Sequence, residues 1–401
     1  MTGTTVSSIP LRTRLGIYGT GLFADGASNV VVPLWVLHLD PTPLAFGLVI
    51  GAKSLLPFLF SIHGGVLMDR LGARRVMKFF AVIGMIVPFL FPLLPWIWVA
   101  GILNLIIGLT ATMNWVGAQT LVGQAMRGNA SLTWRVSFGN KFGHFIFPII
   151  AGATWDAFGP WGGFAVTFAA AALFWLALML LPKGDGTGER QERRFRPGDL
   201  LPSLEDHTRT FALLSIPLVA VAIAGSVLNI AVGAIQGSFF IAWMREIELT
   251  GTLIGLIFAG LNLAGLAGTA LVTPLANRTG DVWMLNFTVV AAIAAIVVTP
   301  LFAAFLPLLA ITLARGFAQG VSQPLMIVIP SKMVPTEFQG AVVGLRISLN
   351  RLMQTVLPPV MGGVVALTGL ANSFYWVGGA LLVLSCTLWA IFRPPASTEG
   401  H

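Results

Sequence analysis

The sequence predicts an all-α membrane protein, with twelve transmembrane helices in two pseudo-twofold-related six-helix bundles. Three observations predict it. First, 56% of the 401 residues are hydrophobic and only 9% are charged, against about 25% charged in a soluble domain, and the mean hydropathy is +0.87. Second, the apolar runs are continuous and about 20 residues long, as a helix crossing a bilayer core requires, and lack the alternation of barrel strands. Third, the second half of the chain repeats the first in the same order. This composition excludes a soluble enzyme, a disordered chain and a disulfide scaffold. The single cysteine, Cys386, lies in an apolar run and is expected to pack there.

Taken in order, runs bounded by Pro, Gly and charge clusters place helices near 15–38, 44–67, 76–95, 98–121, 136–154, 161–182, 213–242, 251–274, 284–304, 308–330, 341–367 and 373–392. The seventh run is over-long and calls for a surface turn before Pro217. Residues 1–14 contain no apolar core of their own, so no cleaved signal peptide is expected. The polar stretch Lys183–Thr210 separates six helices from six. The implied domains are an N-terminal bundle over 1–182, a linker over 183–212 and a C-terminal bundle over 213–401.

Basic residues set the orientation. Sixteen of the 23 fall at one set of helix ends, including Arg70, Arg74, Arg75, Lys78 and six in the central linker; only Arg245 falls at the other. The remaining six lie within or at the ends of helices: Lys53, Arg135, Lys141, Arg315, Arg346 and Arg351. This bias places both termini and the linker in the cytoplasm, in a cell (inner) membrane. The net charge of +8 is thus mainly a topology signal, and no nucleic-acid partner is expected.

The repeat is legible at two places. Asn140-Lys141-x-x-His144-x-x-x-Pro148-x-x-x-Gly152 matches Asn350-Arg351-x-x-Gln354-x-x-x-Pro358-x-x-x-Gly362, 210 residues later. Gly47 and Met68-Asp69-Arg70-Leu71-Gly72 match Gly255 and Ala276-Asn277-Arg278-Thr279-Gly280, 208 residues later. Parallel repeats with a substrate site between them are a transporter architecture.

On these residues the chain resembles the major facilitator superfamily over essentially its whole length. The segment after the second helix, Gly65-x-x-x-Asp69-Arg70-x-Gly72-x-Arg74-Arg75, matches the family's cytoplasmic signature in spacing, sidedness and position. The resemblance implies that this loop governs the conformational switch and does not touch substrate. Gly72 permits a tight turn, and Asp69 can face a helix N-terminus. As a plainer reading, the three arginines also serve as positive-inside anchors. The chain departs from the family's drug/proton antiporters. Their helix-4 arginine is replaced by Asn104, four residues before Gly108, and the helix-5 stretch from Gly143 to Gly152 is a poor match to theirs.

A charge at mid-membrane costs at least about 2.5–3.5 kcal/mol, so each needs a partner, a wet cavity or a function. Helical spacing groups the polar residues into stripes: Asp25, Ser28 and Asn29; Asn229, Gly233 and Gln236; Arg315, Gln319, Ser322 and Gln323; Asn140, Lys141 and His144; Asn350, Arg351 and Gln354. Asp25 is the only deep acid, against four deep cations, Lys53, Lys141, Arg315 and Arg351. Such a cavity suits an anion, because Arg forks and Lys ammoniums pair with carboxylate or phosphate oxygens. The expected substrate contacts are Arg315, Arg351, Gln319, Gln323, Gln354, Asn29, Lys53, Gln236 and His144, with Asp25 carrying the proton. The expected meeting point is one level of the bilayer, where Arg315 and Arg351 lie beside the three glutamines. Plainer readings stand beside these. Asp25–Lys53 can be a structural pair, Lys141 and Arg351 can snorkel, His144 can be a packing histidine, and Asn/Gln stripes commonly hold helices together.

There is no nucleotide-binding loop, metal-ligand spacing or catalytic set, so no cofactor or metal and no enzymatic activity are expected. The leading expectation is a monomeric, proton-linked secondary transporter for a small organic anion, working by alternating access in a lipid bilayer. The alternative is a proton-driven drug or metabolite exporter. A membrane sensor or embedded enzyme ranks last.

Overall fold

The computed structural model describes residues 10–23, 27–126, 130–181, 216–334 and 336–392, and every described segment is helix or short connection. In chain order the helices are α1 (Leu11–Leu22), α2 (Ser28–His38), α3 (Pro43–Leu71), α4 (Ala73–Leu93), α5 (Ile97–Met126) and α6 (Ala130–Met179). After the linker come α7 (Pro217–Gln236), α8 (Phe239–Glu246), α9 (Gly251–Thr279), α10 (Asp281–Val297), α11 (Phe305–Met333), α12 (Thr336–Thr368) and α13 (Leu370–Phe392).

These account for the twelve expected crossings, with differences that have local causes. The first crossing is assigned as α1 and α2, with residues 24–26 between them outside the described set. The fifth and sixth run together as α6, kinked at Gly159, which has φ 64° and ψ −153° and precedes Pro160. The seventh begins at Pro217, as its first-turn proline allows. It is then interrupted between Gln236 and Phe239, where the Ser238 hydroxyl donates back to the Ala234 carbonyl at 2.6 Å. The ninth stops at Val297, before Pro300 turns the chain through the 3₁₀ segment Thr299–Leu301. Among the described residues, eight helical stretches are long and apolar enough to cross a membrane. The α7–α8 stretch is 67% buried and α13 only 28%. That contrast fits a central seventh crossing and a peripheral twelfth. Cys386, expected to pack within its run, is instead exposed on α13, which buries so little of its surface.

The chain groups into two compact units: Met1–Asp40, Ala52–Phe195 and Thr250–Ala259 in one, Pro41–Gly51, Arg196–Leu249 and Gly260–His401 in the other. The first has a core of Ile17, Met68, Met77, Met113, Val136, Phe174 and Leu178. The second packs Val219, Ile223, Val334, Val342 and Leu345.

Backbone geometry repeats as the sequence does. Among the described residues the left-handed positions come in matched pairs: Asp40 (φ 49°) with Glu248 (60°), Gly72 (85°) with Gly280 (85°), and Gly159 (64°) with Gly369 (84°). Gly72 and Gly280 each turn the chain into the next helix, where a Cβ would be strained. Helix contacts repeat too. A Cβ on Gly108 would strike the Lys53 carbonyl, and one on Gly316 would strike the Leu261 carbonyl. Both members of each contact are 208 residues apart, so α3–α5 and α9–α11 share one close backbone approach.

In the first unit α6 is tied to the start of α9. The Asp156 carboxylate accepts the backbone N–H groups of Gly251 and Thr252, both at 2.7 Å, and the Thr252 hydroxyl at 2.6 Å. It thereby satisfies donors that the first turn of a helix leaves unpaired, and its charge opposes the helix dipole.

Candidate functional site

The polar face of α11 carries the site of the second unit. Arg315 is 1% exposed and is the largest of the fully buried side chains. Its guanidinium carbon lies 4.6 Å from the centre of the Phe240 ring. Phe240 sits on α8, whose offset from α7 at Gly237–Ser238 buries Phe239 and Phe240 together; Phe239 in turn meets Phe46 edge-on at 5.1 Å. The cation therefore has an aromatic face beneath it, a favourable contact when desolvated. Among the described residues, its Nε and Nη2 atoms are buried with no hydrogen-bond partner. The same holds for the hydroxyl of Thr312, one helical turn earlier and also 1% exposed.

Of the other predicted contacts on this unit, Arg351 bonds to Gln354 and Gln319 bonds to Asn229. Gln319 Nε2 donates to Asn229 Oδ1 at 3.3 Å, and Asn229 Nδ2 donates to the Ser322 hydroxyl at 2.5 Å. This amide seam joins α11 to α7. Arg351 is half-buried and donates from Nη1 to Gln354 Oε1 at 3.2 Å, one turn along α12. Gln236 is buried on α7 and Gln323 is exposed on α11. Among the described residues, Nε and Nη2 of Arg315 bond to none of Gln319, Gln323 and Gln354.

In the first unit Lys53 donates to Asn29 Oδ1 at 2.8 Å and Ser28 Oγ at 3.3 Å, joining α3 to α2. Asp25 lies outside the described residues. Asn104 is buried at 1% exposure on α5. Further along that helix the Thr110 hydroxyl and Asn114 Oδ1 are buried without partners among the described residues. His144 is half-buried on α6. The repeat asparagines act as pins: Asn140 Nδ2 reaches the Gly21 carbonyl at 3.5 Å, and Asn350 Nδ2 donates to the Ser226 hydroxyl at 3.0 Å.

Of the signature after the second helix, Gly65, Asp69 and Arg70 have described backbone within α3, but their side chains lie outside the described set. Gly72 makes the expected turn. Arg74 Nε donates to the Leu178 carbonyl at 3.1 Å, and Arg12 Nη2 to the Met179 carbonyl at 3.2 Å. Both charges thus sit on the carbonyl end of α6, where cations are favoured. Arg75 is exposed.

A family model described as the Major Facilitator Superfamily matches residues 15–235 and 220–401. The chain belongs to the major facilitator superfamily. It is a multi-pass membrane protein and a secondary transporter of that superfamily. No curated protein matches its sequence. Solved structures match its fold. The nucleoside transporter NupG aligns with a TM-score of 0.76 at 15% identity, covering 96% of this chain and 100% of NupG. A D-xylose-proton symporter aligns at 0.70 and 16%, covering 98% of each chain. A bacterial homologue of the human lysosomal transporter Spinster aligns at 0.69 and 15%, covering 97% and 100%.

Sequence reasoning found Arg315 through its depth and missed two neighbours that define its surroundings. Thr312 lies at i−3 from Arg315 on the same helix face, a spacing that the sequence itself carries. Phe240 had no signal, since only the packing of α8 on α11 brings a residue so distant in sequence under the guanidinium.

Proposed function

We propose that this transporter moves small organic anions in a proton-linked cycle across a cell (inner) membrane, with both termini cytoplasmic. The observation that carries the reading is Arg315, a buried guanidinium with no carboxylate against it among the described residues. A buried charge left unpaired is costly, and an anionic substrate removes that cost on binding. A neutral nucleoside or sugar leaves the charge uncompensated. Arg351 is a second contact, freed from Gln354 when a better acceptor arrives. Asp25, the only deep acid in the sequence, carries the proton, with Lys53 as its partner or a further clamp on the substrate. The segment Gly65–Arg75, around the turn at Gly72, governs the switch.

Uptake and counterflow in proteoliposomes, run over panels of carboxylates, phosphates, sugars, nucleosides and lipophilic cations, test this. The expected result is anion accumulation driven by a pH gradient. In Asp25→Asn, accumulation is lost while exchange persists. Transport restricted to lipophilic cations would move the function to export of drugs. Full accumulation by Asp25→Asn would remove it from coupling. Cysteine introduced at Glu246 should label from outside, and at Glu189 from the cytoplasm; the reverse pattern overturns the topology.

A further inference from the structure

Resting on the anion reading, the geometry at Arg315 narrows the substrate: we infer that it is a monocarboxylate, bound side-on by the Nε–Nη2 edge of Arg315 with the Thr312 hydroxyl as a third contact.

The two partnerless nitrogens are not an arbitrary pair. Nε and Nη2 form one edge of the planar guanidinium and direct two parallel N–H bonds outward. That fork matches the two oxygens of a carboxylate, and bidentate pairing of this kind is among the strongest polar contacts in proteins. Phe240, 4.6 Å from the guanidinium carbon, offers no acceptor, so the Nε–Nη2 edge is left for a ligand. Thr312 lies three residues before Arg315 on α11, on the same helix face. Side chains on a helix lean toward its N-terminus, so a long residue covers the turn before its own Cα. That tendency carries Arg315 toward the turn holding Thr312, whose buried hydroxyl also lacks a partner among the described residues. Two N–H donors and one hydroxyl together satisfy a carboxylate.

Charge selects within the anions. The surroundings established for Arg315 are an aromatic ring, a threonine and, further along α11, an amide seam already satisfied by Asn229 and Ser322. A monoanion neutralises the one guanidinium edge left without a partner among the described residues, while Arg351, already donating to Gln354, adds a polar contact. A phosphate dianion or dicarboxylate leaves an unpaired negative charge in a desolvated place, which is as costly as the unpaired cation it relieves.

The test uses the purified full chain, with thermal unfolding followed against acetate, lactate, benzoate and phenylacetate. Each acid is paired with its amide, and inorganic phosphate, chloride, uridine and D-xylose are run beside them. At least one monocarboxylate is expected to raise Tm where its amide does not. Arg315→Lys keeps the charge and loses the fork, so affinity for that acid should fall about 10–100-fold, the worth of one charge-assisted hydrogen bond. Thr312→Val should lower it about 2–10-fold. Should Arg315→Lys fail to fold, the acid–amide comparison on the unmodified chain and Thr312→Val still decide. Stabilisation by phosphate or chloride alone, lost in Arg315→Lys, overturns the carboxylate assignment and leaves the anion reading standing. Stabilisation only by uridine or D-xylose overturns both. A stabilising carboxylate whose affinity is unchanged in both variants overturns the site, and a panel in which no acid outperforms its amide overturns the proposal.

Discussion

Lys53 in the first unit and Arg315 in the second occupy the same structural feature and are treated in opposite ways. Each lies at the close approach of its unit's second and fourth crossings, where Gly108 meets the Lys53 carbonyl and Gly316, next to Arg315, meets the Leu261 carbonyl. The repeat mate of Lys53 is Leu261, and that of Arg315 is Ile107, so the two halves place their cation on opposite helices of the pair. Lys53 is answered by Asn29 and Ser28, whereas Arg315 is answered by the face of Phe240, its edge nitrogens finding no partner among the described residues. Depth in a helix thus measures what a charge costs and not how it is compensated. A cation with protein partners holds helices together; a cation without them calls for a ligand.

The sharpest way to break this contrast is to remove each charge. Arg315→Met should abolish transport and leave stability equal or raise it by about 1–4 kcal/mol, as when other buried charges give way to apolar side chains of similar volume. Lys53→Met should instead lower stability by about 1–3 kcal/mol, because Asn29 and Ser28 lose their donor. Thermal unfolding of the two variants checks the opposite signs, and a loss of stability in both would make Arg315 a structural residue too.

If the shared backbone approach is the scaffold for both cations, Gly108→Ala and Gly316→Ala should be equally damaging. Each added methyl meets a backbone carbonyl, an overpacking worth about 1–3 kcal/mol. Tm values differing widely between the two would show that only one contact is shared in strength.

A second asymmetry concerns Asp156, whose repeat position 210 residues later is Ala366. Asp156→Ala should cost about 0.5–2 kcal/mol, the usual worth of a helix cap. Unfolding measured as pH falls should show the unmodified chain losing this advantage as the carboxylate protonates, while the variant lacks that dependence. The smallest effect belongs to the asparagine pins. Asn350, in a two-way exchange with Ser226 at 3.0 and 3.2 Å, should cost about 1 kcal/mol on change to alanine. Asn140, with one 3.5 Å bond, should cost less.

Particular residues show what could be read in advance. The pairing of Gly72 with Gly280 was legible, because a tight turn needs a residue tolerant of positive φ and the motif around it recurs. The amide stripe on α11 was legible as a stripe, but its bonding was not. Spacing placed Gln319 and Ser322 on one face, while Asn229, from another helix, decided that they serve as a seam. The Ser238 interruption was hidden because a hydroxyl bonding back to its own helix leaves no mark in hydrophobic periodicity.

By itself, the sequence determined the membrane class, the twelve crossings and the repetition of its two halves. These follow from local quantities: the length of an apolar run, the cost of a charge in hydrocarbon, and the 3.6-residue period that puts i and i+4 on one face. Tertiary structure alone decided which cation is satisfied. Whether a donor meets an acceptor depends on a side chain from a different helix arriving within about 3 Å. Phe240 reaches Arg315, and Asn29 reaches Lys53, only once the helices have packed.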